Sequence, residues 1–266
     1  MSTPSVLTYR PTDGSVVHIE CHERLASTAA LAREYAAKGY SDSYCIYAEA
    51  QTDTSLTGTK VAEGEADTGV FLSCILRPRF FPSQACFLGE LCAVALAGAL
   101  EHHTDARMDI GWISDIFCEG KRIGGCSLES RLDAYMTYEY LIVSFAVHLD
   151  PKIFPCRLSD MMKTVFSDDH ASVPLRMAKG ILDHFYRLYR DMQNPKKFMD
   201  DYRRKFAMSG ASVTYLAPEG ARRGKILGID TEGGHLLVDL GAGGIQRISG
   251  KSRLILPKRV RRRKGA

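Results

Sequence analysis

The 266-residue chain has no apolar run long enough to cross a bilayer. Its longest uncharged apolar stretch, Leu91–Leu100, is closed by Glu90 and Glu101. That falls well short of the roughly 20 residues a membrane helix requires. The N-terminus carries no basic-then-apolar stretch ending in a cleavage site, so secretion is not expected. None of the eight cysteines forms a Cys-x-x-Cys pair, and their scatter fits neither a disulfide framework nor a zinc site. Internal repeats are also missing. These absences predict a cytoplasmic protein with no membrane contact and no bound metal.

A basic binding face is missing too. The net charge is +4, but six basic residues crowd into Lys258–Lys264, and taking these six away leaves the body at −2. Proteins built around nucleic acid spread positive charge over a folded face. Here it is gathered in a tail, residues 258–266, which reads as a solvated terminus offering weak, salt-sensitive contacts at most.

With 45% apolar and 25% charged residues, the composition is that of a globular chain with room for one core-bearing domain and a small appendage. Residues 1–17 read as a flexible lead-in. Leu25, Ala29, Ala32 and Tyr35 recur at helical spacing, with Ser27 as N-cap and Gly39 as stop. Ser43–Ala48 and Gly69–Leu76 read as strands, separated by a long surface loop over Gln51–Asp67. Gln84–Glu101 is apolar on nearly every face and predicts a buried helix. Arg107–Phe117 and Lys121–Glu129 read as a strand pair turned at Glu119-Gly120, and Tyr138–Leu149 as a further strand. Leu175 to Met192 predicts an amphipathic helix and Lys196–Phe206 a shorter one. Five short glycine-separated strands follow between Ala211 and Leu256, the pattern of a small barrel. The fold class is therefore α+β: a mixed sheet with helices over residues 18–207, then a barrel over 208–257. His102-His103 with Asp105 suggests a metal site, but adjacent helical residues diverge by about 100°, and solvation of a helix end fits better.

The order of short segments carries more than any one of them. Ser27-Thr28 stands at a helix start, Glu49-Ala50-Gln51-Thr52 after a strand, and Phe71–Pro78 follows. Trp112-Ile113-Ser114-Asp115-Ile116, Gly120–Gly125 and, in the barrel, Gly224–Asp230 come next. Over residues 18–256 this succession resembles the biotin–protein ligase family, relatives of the lipoate ligases and the lipoyl or octanoyl transferases. The resemblance implies a biotin/lipoate-ligase-like mixed sheet followed by an SH3-like barrel. It implies biotin and Mg-ATP as substrates, with no cofactor tightly bound. Biotinyl-adenylate would form and be passed to a lysine of a biotin carboxyl-carrier or lipoyl-type domain, and a homodimer fits the same picture. With only residues 1–17 before the first predicted strand, no helix-turn-helix module is expected and a direct transcriptional role is disfavoured.

By the same resemblance, Ser27 and Thr28 hold the ureido ring, since a urea-like ring needs donor and acceptor groups at the base of an otherwise apolar cavity. Gln51 and Thr52 lie beside the ligand. Trp112 and Asp115 fall in the family's Lys-Trp-Pro-Asn-Asp motif, Arg122 on its catalytic lysine, and Gly124 and Gly125 give close backbone approach. Each residue also has a purely structural reading. Ser27 caps a helix, Gln51 braces a loop, and Trp112 fills a core.

The departures fall on the nucleotide side and imply a divergent member. The family's Gly-Arg-Gly-Arg loop is here Thr54-Ser55-Leu56-Thr57. Losing one such electrostatic stabiliser costs roughly a hundred-fold or more in rate, and nearby Lys60 compensates only in part. Gly111 replaces the motif lysine, Ile113-Ser114 its Pro-Asn, and His148 stands where a strand-ending asparagine is expected. ATP affinity is therefore expected in the high-micromolar range or, at worst, on the order of 1 mM. Two alternatives remain open. One is a catalytically weak relative that binds an acyl ligand or a partner protein. The other is an ATP-independent lipoyl or octanoyl transferase using Cys156, whose neighbour Arg157 favours thiolate, with Cys126 and Cys118 as weaker candidates.

Overall fold

A computed structural model describes residues 4–53, 55, 67–104, 106–149, 172–217, 220–230, 232–249 and 254–255. The main sheet has eight strands: β1 (Ser5–Tyr9), β2 (Val17–Leu25), β3 (Tyr44–Gln51), β4 (Asp67–Leu76), β5 (Met108–Ile110), β6 (Asp115–Cys118), β7 (Lys121–Leu132) and β8 (Tyr138–His148). Their spatial order is β1-β2-β3-β4-β8-β7-β6-β5. Only β2 and β3 run parallel, and the crossover between them is helix α1 (Thr28–Ala37).

Each face of the sheet is covered because the strands are apolar on both sides. α1 lies on one face, where Ala32 and Ala36 pack with Ile46, Ile75 and Ile142. The other face carries α2 (Leu88–His103) and α3 (Val173–Arg190), with α4 (Lys196–Lys205) against α2 and β5. α2 buries eleven of its residues, as its all-round apolar sequence demands. No described helix is long and apolar enough to cross a membrane.

α1 is fixed at both ends. The Ser27 hydroxyl accepts from the Ala30 N–H at 3.4 Å, the N-cap its sequence predicts. At the other end Gly39 stops the helix with φ +87°. There the Arg77 guanidinium donates to the carbonyls of Ala36, Tyr40 and Glu139, tying the helix end to β8.

Two sequence expectations are corrected. The N-terminal residues are not a loose lead-in, because Ser5–Tyr9 pair antiparallel with Val17–Cys21 and form the sheet edge. The Tyr9 hydroxyl also donates to Asp183 of α3, which anchors this edge to the helical layer. The polar, proline-containing sequence hid a strand whose stability comes from tertiary pairing. Arg107–Phe117 is not one strand either: β5 and β6 pair antiparallel with each other. The chain reverses through 111–114, closed by the Gly111 N–H to the Asp115 carbonyl at 2.8 Å. The turn into β7 falls at Glu119-Gly120 as expected, with φ of +50° and +79°.

The C-terminal unit is a five-stranded antiparallel sheet: β9 (Ser212–Ala217), β10 (Gly220–Ile229), β11 (Leu236–Asp239), β12 (Ile245–Ile248) and β13 (Leu254–Ile255). It curls around Val213, Ile226, Leu236, Val238 and Ile248, which run into the main core. At the junction, buried Glu90 of α2 faces the loop holding Gly234, beside Asp230 and below Tyr202.

Burial, reinforced by the negative charge of Asp230, pushes the Glu90 carboxyl up to about 8. The folded protein thus holds a proton at neutral pH that the unfolded chain releases. The stability linked to it is fully present below about pH 4.5 and is lost as pH rises through about 8. Glu90→Gln is expected to remove that loss. In urea titrations at pH 5 and pH 8.5, the wild type should lose on the order of 3 kcal/mol more than the variant. Parallel behaviour of the two proteins would contradict the assignment.

Candidate functional site

The parallel β2–α1–β3 unit brings the N-terminus of α1 beside the C-terminal end of β3, a place where α/β sheets commonly bind ligands. The Thr52 N–H donates to the Leu25 carbonyl at 3.2 Å and the Asp53 N–H to the Ala26 carbonyl at 3.0 Å, locking the two segments together. Gln51 is buried between them. Its Oε1 accepts from the Thr28 N–H at 2.8 Å and the Thr28 hydroxyl at 3.2 Å, while Nε2 donates to the Asp53 carbonyl at 2.5 Å. The Ser27 hydroxyl donates to Asp53 Oδ2 at 3.2 Å. Ser55 joins the same knot through its N–H to Asp53 Oδ1 at 3.0 Å. Thr52 turns its hydroxyl to the Ala26 carbonyl at 3.4 Å, and bracing is what the structure assigns to it.

Beneath this knot runs a row of hydroxyls. Ser73, Ser144 and Ser127 occupy matched positions on β4, β8 and β7. The Ser73 hydroxyl donates to Thr28 Oγ1 and shares a hydrogen bond with Ser144, both at 2.9 Å. The next matched row is Phe71, Ala146, Gly125 and Asp115. Of these two rows, Ser127, Phe71 and Ala146 floor a small cleft of about 90 Å³, partly open to solvent, walled by Ser27, Thr28 and Gln51 and by the Arg33–Glu129 ion pair.

At the other end of β7, Arg122 donates through Nε to Asp115 Oδ1 at 2.8 Å, and its Nη2 lies 2.8 Å from the same oxygen. The only carboxylate in its motif therefore already neutralises this guanidinium. Gly124 and Gly125 are crowded by their own strands. A Cβ at Gly124 would stand 2.1 Å from the Ala146 carbonyl oxygen, and one at Gly125 would stand 2.8 Å from that of Ser114. Their missing side chains let β6, β7 and β8 approach. Trp112 is 7% exposed and belongs to the main apolar core, its backbone N–H directed at Met208 Sδ. Gly111 has no room for a longer residue, since a Cβ would lie 2.7 Å from the Phe117 ring.

The pocket reading therefore gathers Ser27, Thr28, Gln51 and Ser55 in one place. Asp115, Arg122, Gly124 and Gly125 stand at the far end of the same strands, and Trp112 in the core. Thr54, Leu56, Thr57, Lys60, Asp105, Cys156 and the basic tail lie outside the described residues. Cys126 and Cys118 are buried, and burial pushes the Cys126 thiol well above its ordinary range, against a nucleophilic role. Buried His148 closes β8 opposite Gly69. The rings of His102, His103 and His184 pack together between helices, and no group of metal-ligating side chains occurs among the described residues.

Sequence reasoning missed Ser73, Ser144, Ser127, Asp53, Arg33 and Glu129. A signal existed for the first two, because a lone hydroxyl inside each of two strongly apolar strands needs a buried partner.

No family model matches the chain. The bifunctional ligase/repressor BirA of Bacillus subtilis is 28% identical over 230 residues, which is 83% of this chain and 69% of that protein. The biotin protein ligase of Aquifex aeolicus in complex with biotin and ATP superimposes with a TM-score of 0.62 at 22% identity, over 90% of this chain and 99% of that one. A biotin protein ligase-like protein of unknown function from Silicibacter sp. TM1040 matches with a TM-score of 0.65 at 16% identity, over 92% and 97%. The fold is an α+β domain joined to a small β-barrel. The chain is similar in sequence to the ligase/repressor BirA and shares its fold with biotin protein ligases.

Proposed function

We propose that this protein acts as a biotin–protein ligase, activating biotin with Mg-ATP and transferring it to a lysine of a carrier domain. The biotin carboxylate would attack the α-phosphorus of ATP, releasing pyrophosphate. The carrier lysine amine would then attack the acyl carbon and release AMP. The observation that carries this reading is the Ser27–Thr28–Gln51 knot. It presents hydroxyl, amide and backbone groups at the base of a cleft, the complement of a cyclic urea. Likeness to a ligase that binds biotin and ATP supports it.

A specific observation favours a slow enzyme. Arg122, the cation at the acyl-phosphate end, is neutralised by Asp115, and Gly111 offers no charge. Charge placed where negative charge develops is the main source of catalysis in such a step. Incubation with biotin, Mg-ATP and a purified biotin carboxyl-carrier domain, followed by intact mass, tests the reading. Acceptor gaining one biotinyl group, at a turnover roughly a hundred-fold or more below ordinary enzymes, is the expected result. No gain at stoichiometric protein would leave the ligand-binding alternative in its place.

A further inference from the structure

The face of the main sheet under α2 and α3 carries the row Ile19, Cys45, Cys74 and Val143, one residue each from β2, β3, β4 and β8 in matched register. Cys45 and Cys74 sit directly opposite each other on the antiparallel β3–β4 pair, and both are fully buried free thiols. The Cys45 Sγ–H donates to Cys74 Sγ at 3.0 Å. Opposed residues of an antiparallel pair hold their Cβ atoms about 4.5–5.5 Å apart, and a disulfide needs about 3.5–4.5 Å. Bonding therefore asks only for a small approach of two strands already paired. From the helical layer, Tyr186 of α3 and Cys92 of α2 stand close to the pair. A buried cysteine ordinarily acts as a small apolar filler, but two with their sulfurs in contact have a reaction open to them that neither has alone.

We propose that Cys45 and Cys74 form an oxidation site, which hydrogen peroxide converts to a cross-strand disulfide tying β3 to β4. One thiolate attacks a peroxide oxygen, the O–O bond breaks, and the leaving hydroxide takes up the thiol proton as water, leaving a sulfenic acid on the sulfur. The second thiol attacks that sulfur, the S–OH bond breaks, and a second water departs with its proton. The two thiols thus lose two electrons and two protons, and peroxide is reduced to two waters. Burial selects the oxidant by size. Neither residue has exposed surface, so a peptide disulfide such as oxidised glutathione has no approach, whereas peroxide is hardly larger than water and enters through local opening. Burial also pushes the Cys45 thiol well above its ordinary range, which keeps thiolate scarce and the oxidation slow, on the order of minutes to hours. The bond closes the loop from Cys45 to Cys74, which includes both Gln51 and Ser73. A cross-link over such a loop stabilises chiefly by restricting the unfolded chain. None of this depends on the ligase reading.

Treatment of the full chain with hydrogen peroxide, followed by thiol capping and non-reducing peptide mapping, tests this. Lys60 lies between Cys45 and Cys74, and Arg79 between Cys74 and Cys92, so trypsin places these cysteines on separate peptides. The expected result is a linked Cys45–Cys74 peptide pair, two hydrogens lighter than its reduced halves and separated again by dithiothreitol. The oxidised protein should melt about 5–10 °C above the reduced one. Cys74→Ala should abolish both the link and the shift, although the exposed Cys86 remains to react. Should that variant fail to fold by circular dichroism, oxidised wild type before and after dithiothreitol carries the same comparison. A link from Cys74 to Cys92 instead, or oxygen added to Cys45 or Cys74 with no link, overturns the proposal. So does a pair left unmodified, or a link that leaves the melting temperature where it was.

Discussion

Gly124→Ala should be the most damaging single substitution in the sheet, lowering stability by about 4 kcal/mol or more. The added Cβ would stand 2.1 Å from the Ala146 carbonyl oxygen and 3.0 Å from its carbon and from Val147 Cα. These are backbone atoms of β8, the strand that joins the two halves of the sheet, and no rotamer change can clear them. Relief requires β7 and β8 to separate, breaking the ladder that holds both Ser127 and Ala146 in the cleft. Chemical denaturation of the purified variant would measure the loss. Wild-type stability in Gly124→Ala would mean that the β7–β8 register described here is wrong.

Gln51→Ala should have the next largest effect, and on two readouts. The amide satisfies the Thr28 N–H, the Thr28 hydroxyl and the Asp53 carbonyl, all packed at the junction of α1 and β3. Truncation leaves them without partners, at a cost of roughly 2–4 kcal/mol in stability, since orphaned buried groups carry most of their desolvation penalty. The position of the α1 N-terminus is set by the same bonds, so the cleft should lose its shape and its ligand together. Gln51→Glu separates the two effects. It retains an acceptor for Thr28 but cannot donate to the Asp53 carbonyl when ionised, and should recover stability more than binding.

Much of this fold is legible in the sequence because local and tertiary signals agree. α2 is apolar all round and buried, α3 has a clean apolar stripe, and Ser27 and Gly39 bracket α1 where capping chemistry places them. The failures have a common cause. β1 and the β5–β6 reversal are stabilised by partners distant in the chain, and nothing in their own composition announces those partners. The site divides in the same way. Ser27, Thr28 and Gln51 fall in recognisable segments. Arg33 and Glu129, 96 residues apart, look like ordinary surface charges until the register of β7 under α1 brings them together. Gly124 and Gly125 show the converse: a residue type expected near a ligand is required there by strand packing.

Whether the Ser27–Thr28–Gln51 knot is a binding site for biotin can be measured directly by isothermal titration of biotin into the full chain and into Gln51→Ala. The account predicts saturable one-to-one binding to the wild type, and at least about ten-fold weaker binding to the variant, for loss of one buried hydrogen-bonding group. No heat of binding in the wild type, or equal affinity in both proteins, would contradict it.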